Sequence, residues 1–312
     1  MSNDIDILIS EVGLRDGLQN IVSIMPTEAK IRWVQAEASA GVREIEVGSF
    51  VPAKLMPQLA DTAQVVRIAR EVEGLTVAAL VPNFRGAQDA IRAGAHKISI
   101  PFSVSASHIQ RNLNRTHEQM LEEIRRIATM LQEVAVAERP HFEGSLSTAF
   151  GCSIEGEIKE AAVVGFAEQL MRAGCDEVGL SDTTGYANPS QVRRLVGAVK
   201  AAVGDDKLTG VHLHNTRGLG LANALAAIEE GITSLDSSLG GLGGCPAAPG
   251  ASGNIVTEDL VFMLEAMGLN TGVDIEQLLA VQEILRTALP NEKLYGFTPK
   301  AGLPKGFPHV AT

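Results

Sequence analysis

VREIEVGSF, residues 42–50, is one of eight short runs of β-branched and apolar residues that decide the fold of this chain. Several of the runs are almost continuously apolar, which is typical of parallel strands that pack inside a barrel on one face and under helices on the other. The other seven runs are IDILISEVGL (5–14), LTVAALVPN (75–83), HKISIPFSV (96–104), HFEGSLSTAF (141–150), CDEVGLSDT (175–183), LTGVHLHN (208–215) and ITSLDSSLG (232–240).

The stretches between the runs have helical periodicity, and glycine, which favours helix ends, stands where most of them should stop. Eight strands alternating with helices predict an α/β fold, the (β/α)8 TIM barrel. A doubly wound open sheet is the alternative, but no GxGxxG motif follows the first strand. The predicted helices cover residues 27–40, 61–73, 84–94, 116–138, 157–173, 188–203 and 217–231.

The C-terminal part of the chain extends this pattern. Residues 256–290 predict two further helices, so we expect residues 1–290 to form one catalytic domain. Residues 291–312 are rich in proline and glycine and predict an irregular tail. The tail could be a lid, a contact between subunits or a poorly ordered end.

The composition argues against several classes of protein. The 312 residues carry a formal net charge of -11 without a Lys/Arg cluster, so nucleic acid is not an expected partner. No apolar stretch approaches the roughly 20 residues of a membrane span, and the N-terminus does not resemble a signal peptide. The three cysteines lack CxxC spacing, which argues against disulfides and predicts a cytoplasmic location.

Polar side chains lie at the ends of several predicted strands, where a TIM barrel carries its chemistry. We expect them to converge on one rim, together with a cysteine in the glycine-rich stretch at residues 240–254. These residues are Arg15, Asp16, Glu46, Ser49, Ser181, Asp182, His212, His214, Cys245 and Asn254.

His212 and His214 lie two residues apart on one strand, so their side chains share a face and can bind one metal ion. Asp16 would supply a carboxylate oxygen, because the first strand neighbours the eighth in a closed barrel. Asn254 would supply a carbonyl oxygen. These ligands suit Mg²⁺, Mn²⁺ or zinc. A hydrogen-bonded structural pair of histidines is the alternative for this spacing.

Arg15, Glu46 and Cys245 are candidates for catalysis. An arginine beside a metal would stabilise negative charge on a carbonyl oxygen, and a carboxylate would hold its geometry. A simple ion pair between Arg15 and Glu46 is the alternative. Cys245 lies among glycines that allow movement, which favours a catalytic thiol over the more common buried, inert cysteine.

Several motifs together resemble those of the hydroxymethylglutaryl-CoA lyases, which are metal-dependent barrel lyases. The resemblance extends over essentially the whole barrel, and GLGGCP (241–246) followed by GASGN (250–254) and TEDL (257–260) is its most specific part. The motifs are EVGLRDGLQN (11–20), IEVGSFV (45–51), PQLADT (57–62), VHLHN (211–215) and the stretch 236–274.

The resemblance implies a retro-Claisen cleavage of 3-hydroxy-3-methylglutaryl-CoA, or a related 3-hydroxyacyl-CoA, to acetyl-CoA and a 3-oxo acid. It implies Mg²⁺ or Mn²⁺ as cofactor, an acyl-CoA substrate, a homo-oligomer and a place in leucine degradation. The implied residues are Asp16, His212, His214 and Asn254 for the metal, Arg15, Glu46, Asp182 and Cys245 for catalysis, and Arg15, Gln19, Ser49, Asn112 and Asn114 for the substrate.

Other functions are compatible with some of these residues. A condensing synthase of the isopropylmalate type shares the barrel, the Arg-Asp pair and HxH, but the cysteine loop and the lack of a long regulatory domain argue against it. The same loop disfavours an aldolase for 4-hydroxy-2-oxo acids. A non-catalytic, metal-stabilised barrel would require Arg15, Glu46 and Cys245 to be incidental.

Overall fold

The computed structural model describes residues 5–243 and 253–307 of the chain. Its eight parallel strands close into a barrel in sequence order, with the last strand paired to the first. Each strand lies inside one of the eight predicted runs, so the TIM barrel is confirmed. The strands are β1 (Leu8–Glu11), β2 (Glu44–Ser49), β3 (Thr76–Leu80), β4 (Lys97–Ser103), β5 (His141–Ser147), β6 (Glu177–Ser181), β7 (Gly210–His212) and β8 (Ser234–Ser237).

Helices cover the barrel, and each of the nine predicted helical segments contains one. Two short helices, α4 and α11 below, were not predicted; the first carries only two large apolar side chains, Ile109 and Leu113, so its apolar stripe is one turn long. Within the described ranges, no helix is long and apolar enough to cross a membrane. The helices are α1 (Thr27–Ser39), α2 (Thr62–Ala69), α3 (Phe84–Ala93), α4 (Ala106–Leu113), α5 (His117–Gln132), α6 (Glu160–Ala173), α7 (Pro189–Val203), α8 (Gly220–Glu229), α9 (Thr257–Ala266), α10 (Ile275–Ala288) and α11 (Thr298–Ala301).

The two faces of the strands carry different residues. On β2, Ile45 and Val47 belong to the apolar core, while Glu44 and Glu46 line the barrel interior. The side-chain period of two along a strand produces this division. The barrel interior is therefore lined largely by polar side chains.

An ion cluster occupies the interior near the strand starts. The Lys97 ammonium lies 2.9 Å from carboxylate oxygens of Glu143 and Glu177 and 3.6 Å from Glu44. Buried carboxylates are costly unless they are paired, and Lys97 provides their shared partner. The cluster closes the cavity described below at its inner end.

The described part of the predicted tail packs against the barrel. Tyr295 N donates to Gly240 O at 2.6 Å. The backbone N–H groups of Phe297 and Thr298 donate to the carboxylate of Asp259 on α9. These contacts attach residues 291–307 beside the loop that follows β8, whereas residues 308–312 lie outside the described residues.

Candidate active site

A cavity of about 780 Å³ opens at the carboxyl ends of the strands and continues into the barrel interior. Catalytic sites of TIM barrels lie at this end. Most of the predicted site residues line the cavity, and so the structure brings them together. They are Arg15, Asp16, Gln19, Glu46, Ser49, Asn112, Ser181, His212 and His214.

His212, His214 and Asp16 form a compact group at the rim. The Nε2 atoms of the two histidines face each other at 3.0 Å. Asp16 lies in the helical turn at residues 13–17 that directly follows β1. Each of the three residues offers one potential ligand atom, and these atoms all lie within 4.8 Å of one another.

Asn254 joins this group through the backbone. It forms an antiparallel bridge with His214, and Asn215 N donates to Gly253 O at 2.7 Å. The side-chain Nδ2 of Asn254 donates to Asp16 Oδ2 at 2.9 Å. Its Oδ1 is buried and has no hydrogen-bond partner among the described residues. A buried carbonyl oxygen without a partner is a position where a ligand or ion is expected.

The chemistry of these groups fits a divalent cation. One carboxylate, two imidazoles and an amide oxygen are ligands for Mg²⁺, Mn²⁺ or zinc. Burial and the neighbouring His212 lower the pKa of His214 to about 4, so its ring is neutral at pH 7 and keeps a lone pair for a metal. Burial alone would raise the pKa of Asp16, but Arg15 and the histidines hold it well below its usual range.

Arg15 connects the rim to the barrel interior. Its Nε donates to Glu46 Oε2, and an Nη donates to Asp16 Oδ1 at 2.6 Å. Glu46 also accepts a hydrogen bond from Ser99 Oγ at 3.0 Å. Burial raises the pKa of Glu46, although Arg15 partly offsets this effect. The guanidinium is therefore fixed beside the candidate metal ligands and retains donor groups for a bound anion.

Asp182 lies behind the cavity wall. Its Oδ1 accepts from Tyr186 N at 2.8 Å and its Oδ2 from Ala187 N at 3.2 Å, so the carboxylate stabilises the turn after β6. Burial raises its pKa to about 6. Its neighbours Ser181 and Thr183 line the cavity, whereas Asp182 does not. A catalytic role for Asp182 stays a prediction.

The predicted substrate residues occupy different positions. Gln19 Nε2 donates to Asp16 Oδ1 at 2.6 Å, beside the candidate metal ligands. Ser49 Oγ is buried at the rim and has no partner among the described residues. Asn112 lines the outer cavity from α4. Asn114 ends that helix in the left-handed conformation and is exposed, outside the cavity wall.

Cys245 lies outside the described residues. The described chain on either side of it meets at the rim, where Gly253 N donates to Gly243 O at 3.1 Å. Gly243 has a φ of 90°, and a Cβ there would lie 2.7 Å from Gly17 Cα. The glycines of the RDG and GLGG motifs thus allow the two backbones to touch, which places both ends of the cysteine segment beside the Asp16 turn.

Asp236 is a further polar residue of the cavity that was not predicted from the sequence. This residue lines the cavity from the middle of β8, and its Oδ2 lies 3.0 Å from His212 Nδ1. The strand register pairs Asp236 with His212. An acidic residue at an inward position of the strand next to the HxH motif could therefore have been predicted from the sequence. Asp236 lies inside the run ITSLDSSLG rather than at its end, and no recognised motif singles it out.

The chain is similar to known proteins over most of its length. The HMGL-like family model matches residues 6–285. The chain is 42% identical over 277 residues to the mitochondrial hydroxymethylglutaryl-CoA lyase of Arabidopsis thaliana, covering 89% of this chain and 58% of that protein. It is 39% identical over 295 residues to the hydroxymethylglutaryl-CoA lyase YngG of Bacillus subtilis, covering 93% of this chain and 97% of that protein.

A solved structure gives the same relationship in three dimensions. It is an HMG-CoA lyase from Acinetobacter baumannii in complex with coenzyme A and 3-methylmalate, with a TM-score of 0.89, 38% identity and full coverage of both chains. The family match and the curated relatives confirm the resemblance found in the motifs. The chain belongs to the HMGL-like family.

Proposed function

We propose that this chain is a lyase that cleaves 3-hydroxy-3-methylglutaryl-CoA, or a closely related 3-hydroxyacyl-CoA, to acetyl-CoA and a 3-oxo acid. The product is acetoacetate for the first substrate. The observation that carries the proposal is the group of Asp16, His212 and His214 beside the Arg15 guanidinium in one cavity. A retro-Claisen reaction converts an alcohol to a ketone while an enolate forms, and it needs stabilisation at both places.

Four residues are proposed to hold Mg²⁺ or Mn²⁺, with Asn254 Oδ1 added to the group of Asp16, His212 and His214. The bound ion supplies Lewis-acid chemistry that lowers the pKa of the substrate's 3-hydroxyl group. The residues themselves orient the ion. Asp16 receives hydrogen bonds from Arg15, Gln19 and Asn254, so its carboxylate has a fixed direction.

Arg15 is proposed to bind the thioester oxygen. As the C2–C3 bond breaks, its electron pair passes to C2 and the thioester oxygen becomes negatively charged. A fixed guanidinium stabilises this charge without reorganising, and Glu46 holds it in place through the Nε bond. Because Glu46 and Asp16 bind different nitrogens of Arg15, its orientation is determined at two points.

Cys245 is proposed to supply the proton that completes the reaction. A base removes the hydroxyl proton, C3 becomes a ketone, and C2 of the enolate must receive a proton before acetyl-CoA leaves. A thiol suits this step because its pKa is tunable near neutral pH. The support comes from the family motif GLGGCP and from the position of Gly243 and Gly253 beside the Asp16 turn.

The cavity wall opposite the proposed metal site is suited to bind an anionic acyl group. It carries hydroxyl side chains from β4, β5, β6 and the turn after β6, which can donate hydrogen bonds to a carboxylate. The outer cavity, with Asn112 and Arg115, is open enough for an extended thioester. The coenzyme A in the Acinetobacter structure supports an acyl-CoA substrate here. The hydroxyl residues are Ser99, Ser145, Ser147, Ser181 and Thr183.

The test is release of acetyl-CoA from hydroxymethylglutaryl-CoA by the purified protein, with EDTA, Mg²⁺ and Mn²⁺ arms. We expect release only with metal, and a loss of at least a hundredfold in Cys245→Ala. Cys175→Ala is the matched control, because Cys175 is buried and its thiol pKa is raised by burial. Metal-independent release, or equal effects of the two substitutions, would contradict the proposed chemistry.

A second assay distinguishes the lyase from the alternative, a condensing synthase. A condensing synthase would form a carbon–carbon bond from acetyl-CoA and a 2-oxo acid and release free coenzyme A. Supplying acetyl-CoA with 3-methyl-2-oxobutanoate therefore tests the synthase directly. We also propose a homo-oligomer in the cytoplasm, which size-exclusion chromatography with light scattering and cell fractionation would examine.

A further inference from the structure

Asp236 stands next to His212 because the sheet register requires it. The two residues are direct Cα partners in the parallel pairing of β7 and β8. Their side chains share the barrel interior, where Asp236 Oδ2 lies 3.0 Å from His212 Nδ1. The contact is set by two backbone strands, so it does not depend on a mobile loop.

This contact determines which nitrogen of His212 carries a proton. A carboxylate accepts hydrogen bonds, so Nδ1 must be the donor, and a neutral ring then keeps its lone pair on Nε2. Nε2 is the atom that faces His214 Nε2 at 3.0 Å and belongs to the candidate metal group. The hydrogen bond to Asp236 therefore leaves the lone pair of His212 Nε2 free and directed toward the other candidate metal ligands.

We propose that Asp236 is a positioning residue that fixes the Nδ1–H tautomer and ring orientation of His212 and thereby increases metal affinity. The claim about metal affinity rests on the proposed function, whereas the claim about the tautomer can be tested without metal. Partners of this kind orient ligating histidines, and their loss typically weakens metal binding about 10–100-fold.

The surroundings of Asp236 favour this role over a structural one. Within the described chain, the only hydrogen-bond partner of its side chain is His212. Its side chain is 27% exposed to the cavity, so it fills no position in the apolar core. By contrast, Glu143 in the same interior is paired with Lys97, and among the described residues no hydrogen bond or ion pair joins it to a candidate metal ligand. Glu143→Gln is therefore the matched control for removing one interior carboxylate.

The first measurement is the ¹⁵N NMR spectrum of the histidine rings in metal-free protein, with His212 assigned by comparison with His212→Gln. We expect the Nδ1–H tautomer in the unsubstituted protein. Asp236→Ala should populate the other tautomer, and Asp236→Asn should keep the original one because its amide oxygen still accepts from Nδ1. An unchanged tautomer in Asp236→Ala would overturn the proposal.

The second measurement is the Kd for Mn²⁺ by calorimetry on the same variants. We expect at least a tenfold increase in Asp236→Ala, a smaller increase in Asp236→Asn and a change below threefold in Glu143→Gln. Equal increases in Kd for Asp236→Ala and Glu143→Gln would mean that Asp236 acts only as one of several negative charges in the barrel interior. That result would overturn its specific role.

The two proposals fail in different ways. If the unsubstituted protein does not bind Mn²⁺, the proposed metal-dependent function is wrong, and the NMR result alone judges whether Asp236 orients His212. If Asp16→Ala abolishes binding while Asp236→Ala binds normally, the metal site stands and the inference about Asp236 is wrong. Circular dichroism of each variant separates these results from a loss of folding.

Discussion

Arg15 Nε donates a hydrogen bond to Glu46 Oε2 across the first two strands of the barrel. The bond joins the turn that follows β1 to the middle of β2, and it leaves another nitrogen of the same guanidinium on Asp16. A single arginine is thereby held between a candidate metal ligand and an interior carboxylate. Its fixed position is what an enolate oxygen requires, because a preorganised charge needs no rearrangement during the reaction.

Arg15→Met should remove this charge while keeping much of the side-chain volume. We expect kcat to fall about a thousandfold, the size typical for losing a key group that stabilises an oxyanion, with a much smaller change in KM. Steady-state kinetics with hydroxymethylglutaryl-CoA measures both constants. Glu46→Gln, which keeps an acceptor for Arg15, should lower kcat far less. Equal kcat losses in the two variants would contradict the separate roles.

Asn254→Ala should weaken metal binding. The substitution removes the partnerless Oδ1 and also the Nδ2 donor to Asp16. We expect the Kd for Mn²⁺ to rise about tenfold, as for losses of groups that support a metal site. Calorimetric titration measures this Kd. Asn223→Ala is a control, because Asn223 is also buried but donates to Ala187 O on the outer layer. Unchanged affinity in Asn254→Ala would remove Asn254 from the ligand set.

Asp182→Ala should mainly affect stability. Both carboxylate oxygens accept backbone N–H groups of the turn after β6, and the substitution leaves these donors without partners. We expect a loss of about 2–3 kcal/mol in the free energy of unfolding. Urea denaturation measures it, and Asp182→Asn should restore part of the loss. If the stability is unchanged while kcat collapses, Asp182 acts directly in catalysis.

The barrel could be predicted because its signal is local. Each strand is a short apolar run, and glycines such as Gly94 and Gly174, which end α3 and α6 in the left-handed conformation, mark the helix ends. Helix α4 was not predicted because its apolar stripe, Ile109 and Leu113, spans only one turn. The Ser105 side chain caps its first turn.

The candidate site was predictable where strand ends carry the residues. His212, His214 and Asp16 come together because strand period and barrel closure follow from the fold. Asp236 and the Lys97 cluster depend on the register between strands, which a single run of sequence does not reveal. The hydrogen bonds that turn Asp182 away from the cavity depend on the local turn, which the motif SDT does not specify.

A further prediction concerns Glu258 on α9, whose carboxylate is fully buried and accepts hydrogen bonds from Gly240 N and Gln282 Nε2. Burial raises its pKa from 4.5 to about 7. Between these values the folded state binds more protons than the unfolded state, so this group makes the free energy of unfolding fall as pH rises. The decrease should be complete above pH 7 and amount to about 3 kcal/mol at most.

Glu258→Gln removes this titration. The free energy of unfolding of the variant minus that of the unsubstituted protein should therefore increase between pH 5 and pH 8, whatever its value at pH 5. Urea denaturation at several pH values measures the difference. Glu283→Gln on α10 is the matched control, because its carboxylate is 73% exposed and its removal reports a solvated group. A difference for Glu258→Gln that stays constant with pH would mean that the buried carboxyl keeps an ordinary pKa, held ionised by the N–H donors of Gly240 and Gln282.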